Sequence, residues 1–218
     1  MRPVLRGPWP TKEDGSRKSY AVYGNAKPDL FDRLDAYCSY CERPLKTAEA
    51  EVEHMLPKDR YPDDESNWEN YLLACKACNT KKGKKDTRPL ENFVWPDRDR
   101  TSAYFAYHAD GSVSPAAGLG AQLAARTQAT LGLLDAGFST KIESFADDRF
   151  EQRLATLGIV SIAQQLLQEQ DSPAVRLLVI ELARATGFWS IWITTLGHDA
   201  ELRQRLIQAW RGTDDSRV

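Results

Sequence analysis

The sequence lacks the long apolar runs that membrane spans and secretion signals require. No stretch approaches the roughly 18 consecutive apolar residues of a transmembrane helix, although 42% of the residues are hydrophobic. The first residues, MRPVLRGPWP, have early prolines and no apolar core of the kind found in a secretory signal. These absences argue against a membrane-spanning or secreted class of protein, and we expect a cytoplasmic location.

A large excess of charge of either sign is also missing. The chain has 29 Lys and Arg residues against 31 Asp and Glu residues, which gives a net charge of −2 at pH 7. A protein that binds nucleic acid through its bulk charge is usually basic. Nucleic-acid binding by this chain would therefore need a local basic patch or a surface supplied by a partner protein.

Cysteine is scarce, and its four copies form two C-x-x-C pairs. Each pair lets two thiolates converge on one tetrahedral ion, so the pairs predict a structural zinc site. Its ligands would be Cys38, Cys41, Cys75 and Cys78. In the cytoplasm thiols stay reduced, which favours metal ligation over disulfides. Zinc ribbons usually place about 15–20 residues between the pairs, whereas the longer segment 42–74 lies between them here. The alternatives are four unrelated buried cysteines or an iron–sulfur cluster, and nothing in the sequence favours either.

The segment between the pairs contains residues suited to nucleic-acid hydrolysis. Apolar runs predict strands over 51–56 and 71–74, followed by a helix from 77 to 85. Neighbouring residues of a strand point to opposite faces, so we expect Glu53 to ligate a metal ion while His54 faces the attacking water.

Asn79 would open the predicted helix and offer a second oxygen ligand, which suits Mg²⁺. The alternatives are that Glu53 only tunes the imidazole and that Asn79 only caps the helix.

Three segments of the chain resemble the HNH nucleases. They are E-H-M-L-P-K at 53–58, N-Y-L-L-A-C-K-A-C-N at 70–79 and K-K-G at 81–83. The resemblance covers roughly residues 36–86, about a quarter of the chain. It implies a ββα-metal fold stapled by the four-cysteine zinc site, and an endonuclease that hydrolyses phosphodiester bonds.

The resemblance also implies a role for each matching position. His54 would be the general base, and Glu53 and Asn79 would hold a catalytic Mg²⁺ or Mn²⁺. Asn70 would fix the active-site loop by hydrogen bonding, with a plain turn residue as the alternative, and Lys82 would meet a phosphate.

Two positions depart from the common family pattern. The family often has Asp before the His, where this chain has Glu53, and it often ends in His, where this chain has Asn79. Both variants occur in the family, and an amide oxygen favours Mg²⁺ or Mn²⁺ over softer ions. The segment W-E-N-Y-L-L at 68–73 most resembles the nuclease subunits of Septu-type and retron-linked phage defence. That branch implies a protein partner such as a defence ATPase or sensor subunit.

Cationic residues are densest just after the predicted active-site helix. Those expected to contact the nucleic-acid backbone are Lys58, Arg60, Lys81, Lys84 and Lys85. Such contacts do not depend on base sequence. The alternative is a solvated run that only aids solubility. We expect the remaining histidines, His108 and His198, to be structural or exposed.

The two halves of the chain differ in character. We assign residues 1–115 to a nuclease domain with an N-terminal arm and a core at 28–86, and residues 116–218 to an all-helical domain for partner binding or regulation. The fold class is therefore α+β. The aromatic segment 188–192 is either bundle core or an anchor for a partner.

Local signals predict further elements of the fold. Asp110-Gly111 is a hairpin turn signal. Asp147 is the predicted N-cap of a long helix, on which Leu154 and Ile162 recur at helical spacing. Ser172-Pro173 is expected to open another helix, since a cap residue followed by proline is typical of a helix start.

The preferred function is a metal-dependent HNH endonuclease that cleaves nucleic acid, with DNA expected rather than RNA. It would act as the effector subunit of an anti-phage defence complex or, alternatively, as a stand-alone restriction-type nuclease. A rival of another class is a non-catalytic zinc module that binds nucleic acid or protein. That rival leaves the combination of Glu53, His54, Asn70 and Asn79 unexplained.

Overall fold

The computed structural model of the chain describes residues 1–135 and 148–218. Its helices and strands are, in order, α1 (Lys27–Leu34), β1 (Ala50–His54), β2 (Tyr71–Cys75), α2 (Lys76–Lys82), β3 (Phe105–Tyr107), β4 (Val113–Pro115), α3 (Ala121–Leu134), α4 (Arg149–Glu169), α5 (Pro173–Thr186), α6 (Trp189–Leu196) and α7 (Ala200–Ala209). The predicted α+β class with a helical C-terminal region is confirmed. Within the described ranges, no helix has both the length and the apolar composition to cross a bilayer.

The predicted order of strand, strand and helix is present between and after the cysteine pairs. β1 and β2 are antiparallel, with Glu53 opposite Leu72 and His54 opposite Tyr71. All five residues of β2 are buried, as a continuous apolar run requires. α2 follows β2 directly and ends at Gly83, whose φ of 51° favours glycine.

The start of α2 differs from the prediction. Cys75 is the N-cap, and its sulfur accepts a hydrogen bond from the Cys78 backbone amide at 3.4 Å. Asn79 therefore lies one turn inside the helix, and both the prediction that it opens the helix and the alternative that it caps it are wrong. A cysteine sulfur thus takes the place of the side-chain oxygen that usually caps a helix.

The hairpin predicted at Asp110-Gly111 is present as the pair β3 and β4. The Asp110 carboxylate accepts the Ser112 backbone amide at 2.9 Å, and Gly111 has a φ of 83°. Both features belong to a tight turn between antiparallel strands. The hairpin and the following α3 pack against the first half of the chain, since Phe105, Val113 and the leucines of α3 belong to the same core cluster as β1 and β2.

The helices after residue 148 follow the apolar pattern in part. Ser172 caps α5 as predicted, accepting the Val175 amide at 3.3 Å. The predicted cap of α4, Asp147, lies outside the described residues. Leu154 and Ile162 were expected on the buried face of α4, yet they are 38% and 69% exposed.

The helix period explains this error. Val160 and Ala163 face the bundle, and Ile162 lies about 200° around the helix from Val160 at roughly 100° per residue. On α5, Val179 and Ala183 are buried for the same reason, and Leu178 is 49% exposed.

Two hydrophobic clusters form the interior. The first contains the strands, α1 and the buried leucines of α3. The second contains α4 to α7, including Phe188, Trp189, Ile191 and Trp192, together with Tyr37 from the first half. The aromatic segment is therefore bundle core rather than an exposed anchor. The division of the chain into two domains at residue 116 stays a prediction. α3 lies after this boundary, yet its buried leucines pack in the first cluster.

The sequence predicted that the N-terminal segment is an extended arm. In the structure, the start of this segment packs against the core instead. Met1 and Val4 are fully buried, and the Val4 amide donates to the Pro96 carbonyl at 2.7 Å. Val4 also forms an isolated bridge with Thr213 near the C-terminus. The prolines and charges of this segment favoured the prediction of an arm, although a few apolar side chains fix the segment to the core.

The first cysteine pair contacts the corner between α5 and α6. The Glu42 carboxylate, in the turn after Cys41, accepts hydrogen bonds from the Ser190 amide at 3.0 Å and the Ser190 hydroxyl at 2.6 Å. The Glu42 carbonyl accepts the Phe188 amide at 3.0 Å. Gly187 allows this approach, because it has a φ of 74° and a Cβ there would lie 2.5 Å from the Glu42 carbonyl oxygen.

Replacement of Gly187 by alanine should therefore destabilise the protein. The positive φ and the clash with Glu42 together should lower the free energy of unfolding by about 2–3 kcal/mol, as measured by urea denaturation. Gly158→Ala on α4 is the matched control, since nothing lies within 4 Å of its added methyl group. The control should gain roughly 0.5–1 kcal/mol, and equal effects of the two substitutions would contradict this account of the corner.

Candidate functional site

The four cysteines converge in the interior as predicted. Their sulfurs lie within 4.8 Å of one another and all four residues are buried. The Sγ atoms of Cys41 and Cys75 are 3.7 Å apart. Four thiolates at a Zn–S distance of about 2.3 Å would be separated by about 3.8 Å in a tetrahedron. The donor set and its spacing therefore fit a structural zinc ion.

Local backbone geometry produces this convergence. In the first pair, the Cys38 amide donates to the Arg43 carbonyl at 3.0 Å, and the Glu42 amide donates to the Cys38 carbonyl at 2.9 Å. This tight turn, in which Glu42 has a φ of 67°, brings the two sulfurs together. The second pair spans the end of β2 and the first turn of α2. The four-cysteine site therefore joins a turn, a strand and a helix.

A cleft of about 180 Å³ is lined by residues of β1, of the loop after β1 and of α2. Its lining includes six of the residues predicted to act in the site: Glu53, His54, Lys58, Asn79, Lys82 and Lys84. Tyr23, Pro57 and Asp59 also line it. Although they are neighbours on a strand, Glu53 and His54 reach the same cleft, because α2 covers one face of β1 and the loop after β1 closes round the other.

His54 is held by its ring nitrogen. Nε2 lies 2.9 Å from the Glu65 carbonyl oxygen, and since a carbonyl only accepts, Nε2 is the donor and Nδ1 keeps the lone pair. The rings of Tyr23 and Tyr71 lie against the imidazole with centroids 4.8 Å and 5.2 Å away. Burial lowers the pKa of His54. The residue is therefore a neutral, oriented imidazole near pH 7, as a general base requires.

Glu53 forms a buried ion pair. Its Oε1 lies 2.9 Å from Lys82 Nζ, and both side chains are almost fully buried. The Tyr40 hydroxyl donates to the same oxygen at 3.4 Å. Burial raises the pKa of Glu53 to about 7, although the Lys82 ammonium opposes the shift. Among the described residues no hydrogen bond reaches Oε2, so that oxygen is available to a cation.

Asn79 faces a carboxylate that the sequence reasoning missed. Its Nδ2 donates to Glu51 Oε2 at 2.5 Å. The amide oxygen of Asn79 therefore points away from the Glu51 carboxylate. Glu51 and Glu53 lie on the same face of β1, because they are two residues apart on a strand. Asn79 and Lys82, three residues apart, share one face of α2. The Glu51–Asn79 and Glu53–Lys82 contacts therefore lie side by side between strand and helix. The E-x-E alternation was the available signal. Glu51, Glu53 and the Asn79 amide oxygen are hard oxygen donors that fit Mg²⁺ or Mn²⁺.

Asn70 links the end of β1 to the loop that follows. Its Oδ1 accepts the Leu56 amide at 2.7 Å, and its Nδ2 donates to the carbonyls of Leu56 at 3.0 Å and Asp64 at 3.1 Å. The side chain is 3% exposed. It therefore fixes the loop that carries Glu65, the hydrogen-bond partner of His54, without itself lining the cleft.

The predicted nucleic-acid-contacting cations all have protein partners. Lys58 pairs with Glu65, Arg60 with Asp86, Lys81 with Asp135 and Lys84 with Asp59, while Lys85 donates to the Leu133 carbonyl. Lys58 and Lys84 line the cleft, whereas Lys81 and Lys85 reach the C-terminal end of α3. Lys82, predicted to meet a phosphate, is 1% exposed and bound to Glu53. His108 and His198 are exposed and lie outside the cleft.

Comparison with known proteins identifies the module that contains this cleft. Residues 38–85 match the family model for the HNH endonuclease, the family that the motifs of this segment resemble. Over 75 residues the chain is also 51% identical to the Septu protein PtuB of Bacillus thuringiensis. That alignment covers 34% of this chain and 29% of the Bacillus protein.

Loss of one thiolate should release the metal and loosen the fold. We expect Cys41→Ser to reduce bound zinc, measured by elemental mass spectrometry, and to lower the melting temperature, because a closed structural site contributes directly to folding. Ser39→Ala is the matched control from the same turn, since the Ser39 hydroxyl is buried without a hydrogen-bond partner in the described part of the chain. Unchanged zinc content together with an unchanged melting temperature in Cys41→Ser would contradict the four-thiolate site.

Removal of the Asn70 amide should destabilise the loop after β1. Asn70→Ala leaves the backbone amide and carbonyl of Leu56 without their partner and removes one of the two hydrogen bonds to the Asp64 carbonyl. This loss should cost about 2–3 kcal/mol of unfolding free energy. Asn92→Ala, at an exposed position, should change it by less than about 0.5 kcal/mol. Urea denaturation measures both, and equal values would mean that the Asn70 hydrogen bonds do not hold the loop.

Proposed function

We propose that the protein is a metal-dependent endonuclease that hydrolyses phosphodiester bonds of nucleic acid, with His54 as general base. The observation that supports this most directly is the hydrogen bond from His54 Nε2 to the Glu65 carbonyl. It leaves Nδ1 as a basic nitrogen in a cleft that also contains carboxylate and amide oxygens. A solely structural zinc module has no need for such an oriented imidazole.

His54 would take the proton of the attacking water at Nδ1, while the Glu65 carbonyl keeps the ring in one orientation. Glu53 and Asn79 would hold a Mg²⁺ or Mn²⁺ ion, with Glu51 orienting the Asn79 amide. When bound, the ion would supply positive charge to stabilise the departing 3′ oxygen. Attack in line with that oxygen gives products with 5′-phosphate and 3′-hydroxyl ends.

Substrate contacts in this proposal come from cations at the edge of the cleft. Lys58 and Lys84 are partly exposed and pair with surface carboxylates, Glu65 and Asp59. Such exposed pairs are weak and can be exchanged for phosphate contacts. Phosphate contacts carry no base specificity. We therefore propose a nuclease that does not select sequence by itself. Its proposed substrate is DNA rather than RNA, which the comparison of substrates below tests.

The biological role proposed is effector subunit of an anti-phage defence complex. The 51% sequence identity to a Septu protein over 75 residues supports this role. The near-neutral net charge is consistent with a partner that supplies binding surface. A defence ATPase or sensor would be the partner, and the helical region after residue 116 would be its contact or a regulatory unit.

Substitution of the general base should abolish cleavage. His54→Ala should lower the rate by at least 100-fold, because a positioned base contributes about 10²–10⁴-fold. Cleavage of plasmid DNA, single-stranded DNA and tRNA would be compared with Mg²⁺, Mn²⁺ or EDTA, together with zinc content and melting temperature.

The exposed His198→Ala is the matched control and should cleave like the wild type. Equal cleavage by wild type and His54→Ala would disprove the role of His54. A zinc-loaded wild type that cuts none of the substrates, with or without its partner, would favour the binding module over the enzyme.

A further inference from the structure

Two arginines of α4 are buried, and one of them reaches the zinc site. Arg149 has no exposed surface and Arg153 is 1% exposed. Arg149 Nη1 lies 3.2 Å from Cys78 Sγ and 3.3 Å from the Leu134 carbonyl oxygen. Arg153, one turn later, donates instead to the Gly111 carbonyl at 2.6 Å. The helical region therefore supplies a cation to a metal-ligating cysteine of the nuclease module.

The charges of the two groups are complementary. Four thiolates around a divalent ion leave a net charge of −2, in a site where all four cysteines are buried. Burial of that charge, and of a guanidinium, is unfavourable for each alone. An N–H···S hydrogen bond from a cation lowers both penalties, and outer partners of this kind strengthen metal binding.

The Arg149–Cys78 contact is one of several between the helical region and the segments that carry the cysteine pairs. Asp148, the residue before Arg149, accepts Arg43 Nη1 at 2.7 Å, and Arg43 follows the first cysteine pair in the chain. Ser190 of α6 donates twice to Glu42 in the same turn. The helical region thus touches both cysteine pairs. Cys78 lies in the first turn of α2, directly before Asn79.

We propose that Arg149 is a positioning residue of the zinc site, which retains the metal by partly neutralising its thiolates and thereby fixes the start of α2 against β1. The first part stands on the zinc site alone. The second part rests on the proposed function, since α2 carries Asn79 and Lys82 to the candidate catalytic cleft.

Zinc release from the full-length, zinc-loaded protein tests the first part. Arg149→Met removes the charge and the N–H donors and keeps much of the buried volume. We expect it to release zinc to a chromogenic chelator at least about 10-fold faster than the wild type, as outer partners commonly contribute 10–100-fold to metal affinity. Arg153→Met is the matched control and should stay within about twofold of the wild type.

A second readout comes from Co²⁺ in place of zinc. Loss of a hydrogen bond to Cys78 sulfur makes that thiolate a better donor, so the sulfur-to-cobalt charge-transfer band should move to lower energy in Arg149→Met and stay in place in Arg153→Met. Equal release rates in the two variants, or an unshifted band in Arg149→Met, would overturn the proposal. If Arg149→Met does not fold, Arg149→Leu, which also removes the charge and the N–H donors, is compared with Arg153→Leu by the same criteria.

Neither measurement needs nuclease activity, so both decide the first part even in a protein that cleaves nothing. Where cleavage is present, Arg149→Met with its zinc site kept saturated should cut about 10-fold more slowly than Arg153→Met. Equal cleavage by the two zinc-saturated variants would overturn the second part alone.

Discussion

Convergence of four cysteine sulfurs is the constraint on which the rest of the structure depends. β1 and β2 form a two-stranded sheet, which is marginally stable by itself in water, and α2 has only seven residues. Elements this short gain from a further constraint, and the four cysteines lie where strand, helix and turn meet. The four thiolates join the turn at Cys38–Cys41 to the point where β2 becomes α2. This junction determines where Asn79 and Lys82 lie relative to β1.

Buried charges follow the same arrangement. Glu53 with Lys82, Glu42 with Ser190 and Arg149 with Cys78 are each enclosed and each has a partner. Buried pairs of this kind add little net stability compared with apolar residues, but removal of one partner is costly. They restrict how strand, helix and turn can be arranged, and this restriction fixes where the His54 imidazole and the oxygens of Glu53 and Asn79 lie.

Prediction of the fold from the sequence succeeded where local rules act alone. The serine-proline start of α5, the Asp-Gly turn before β4 and the order of strand, strand and helix are all present. It failed where long-range packing decides the outcome. Asn79 is inside α2 because Cys75 caps it, and Ile162 is exposed because α4 turns its other face to the bundle. Glu51 was missed because a charged residue next to a predicted ligand looks like solvated surface until α2 is placed over it.

The sequence by itself determined the four cysteines that converge, the family model that residues 38–85 match and six of the side chains that line the cleft. These depend on residue type and spacing, which the chain states directly. Only the tertiary structure decided which nitrogen of His54 is basic, that Lys82 binds Glu53 and that Arg149 of α4 reaches Cys78. These contacts join residues distant in sequence or depend on backbone carbonyl positions. They are set by how the elements pack, because a hydrogen bond requires a distance and an angle that residue order alone does not fix.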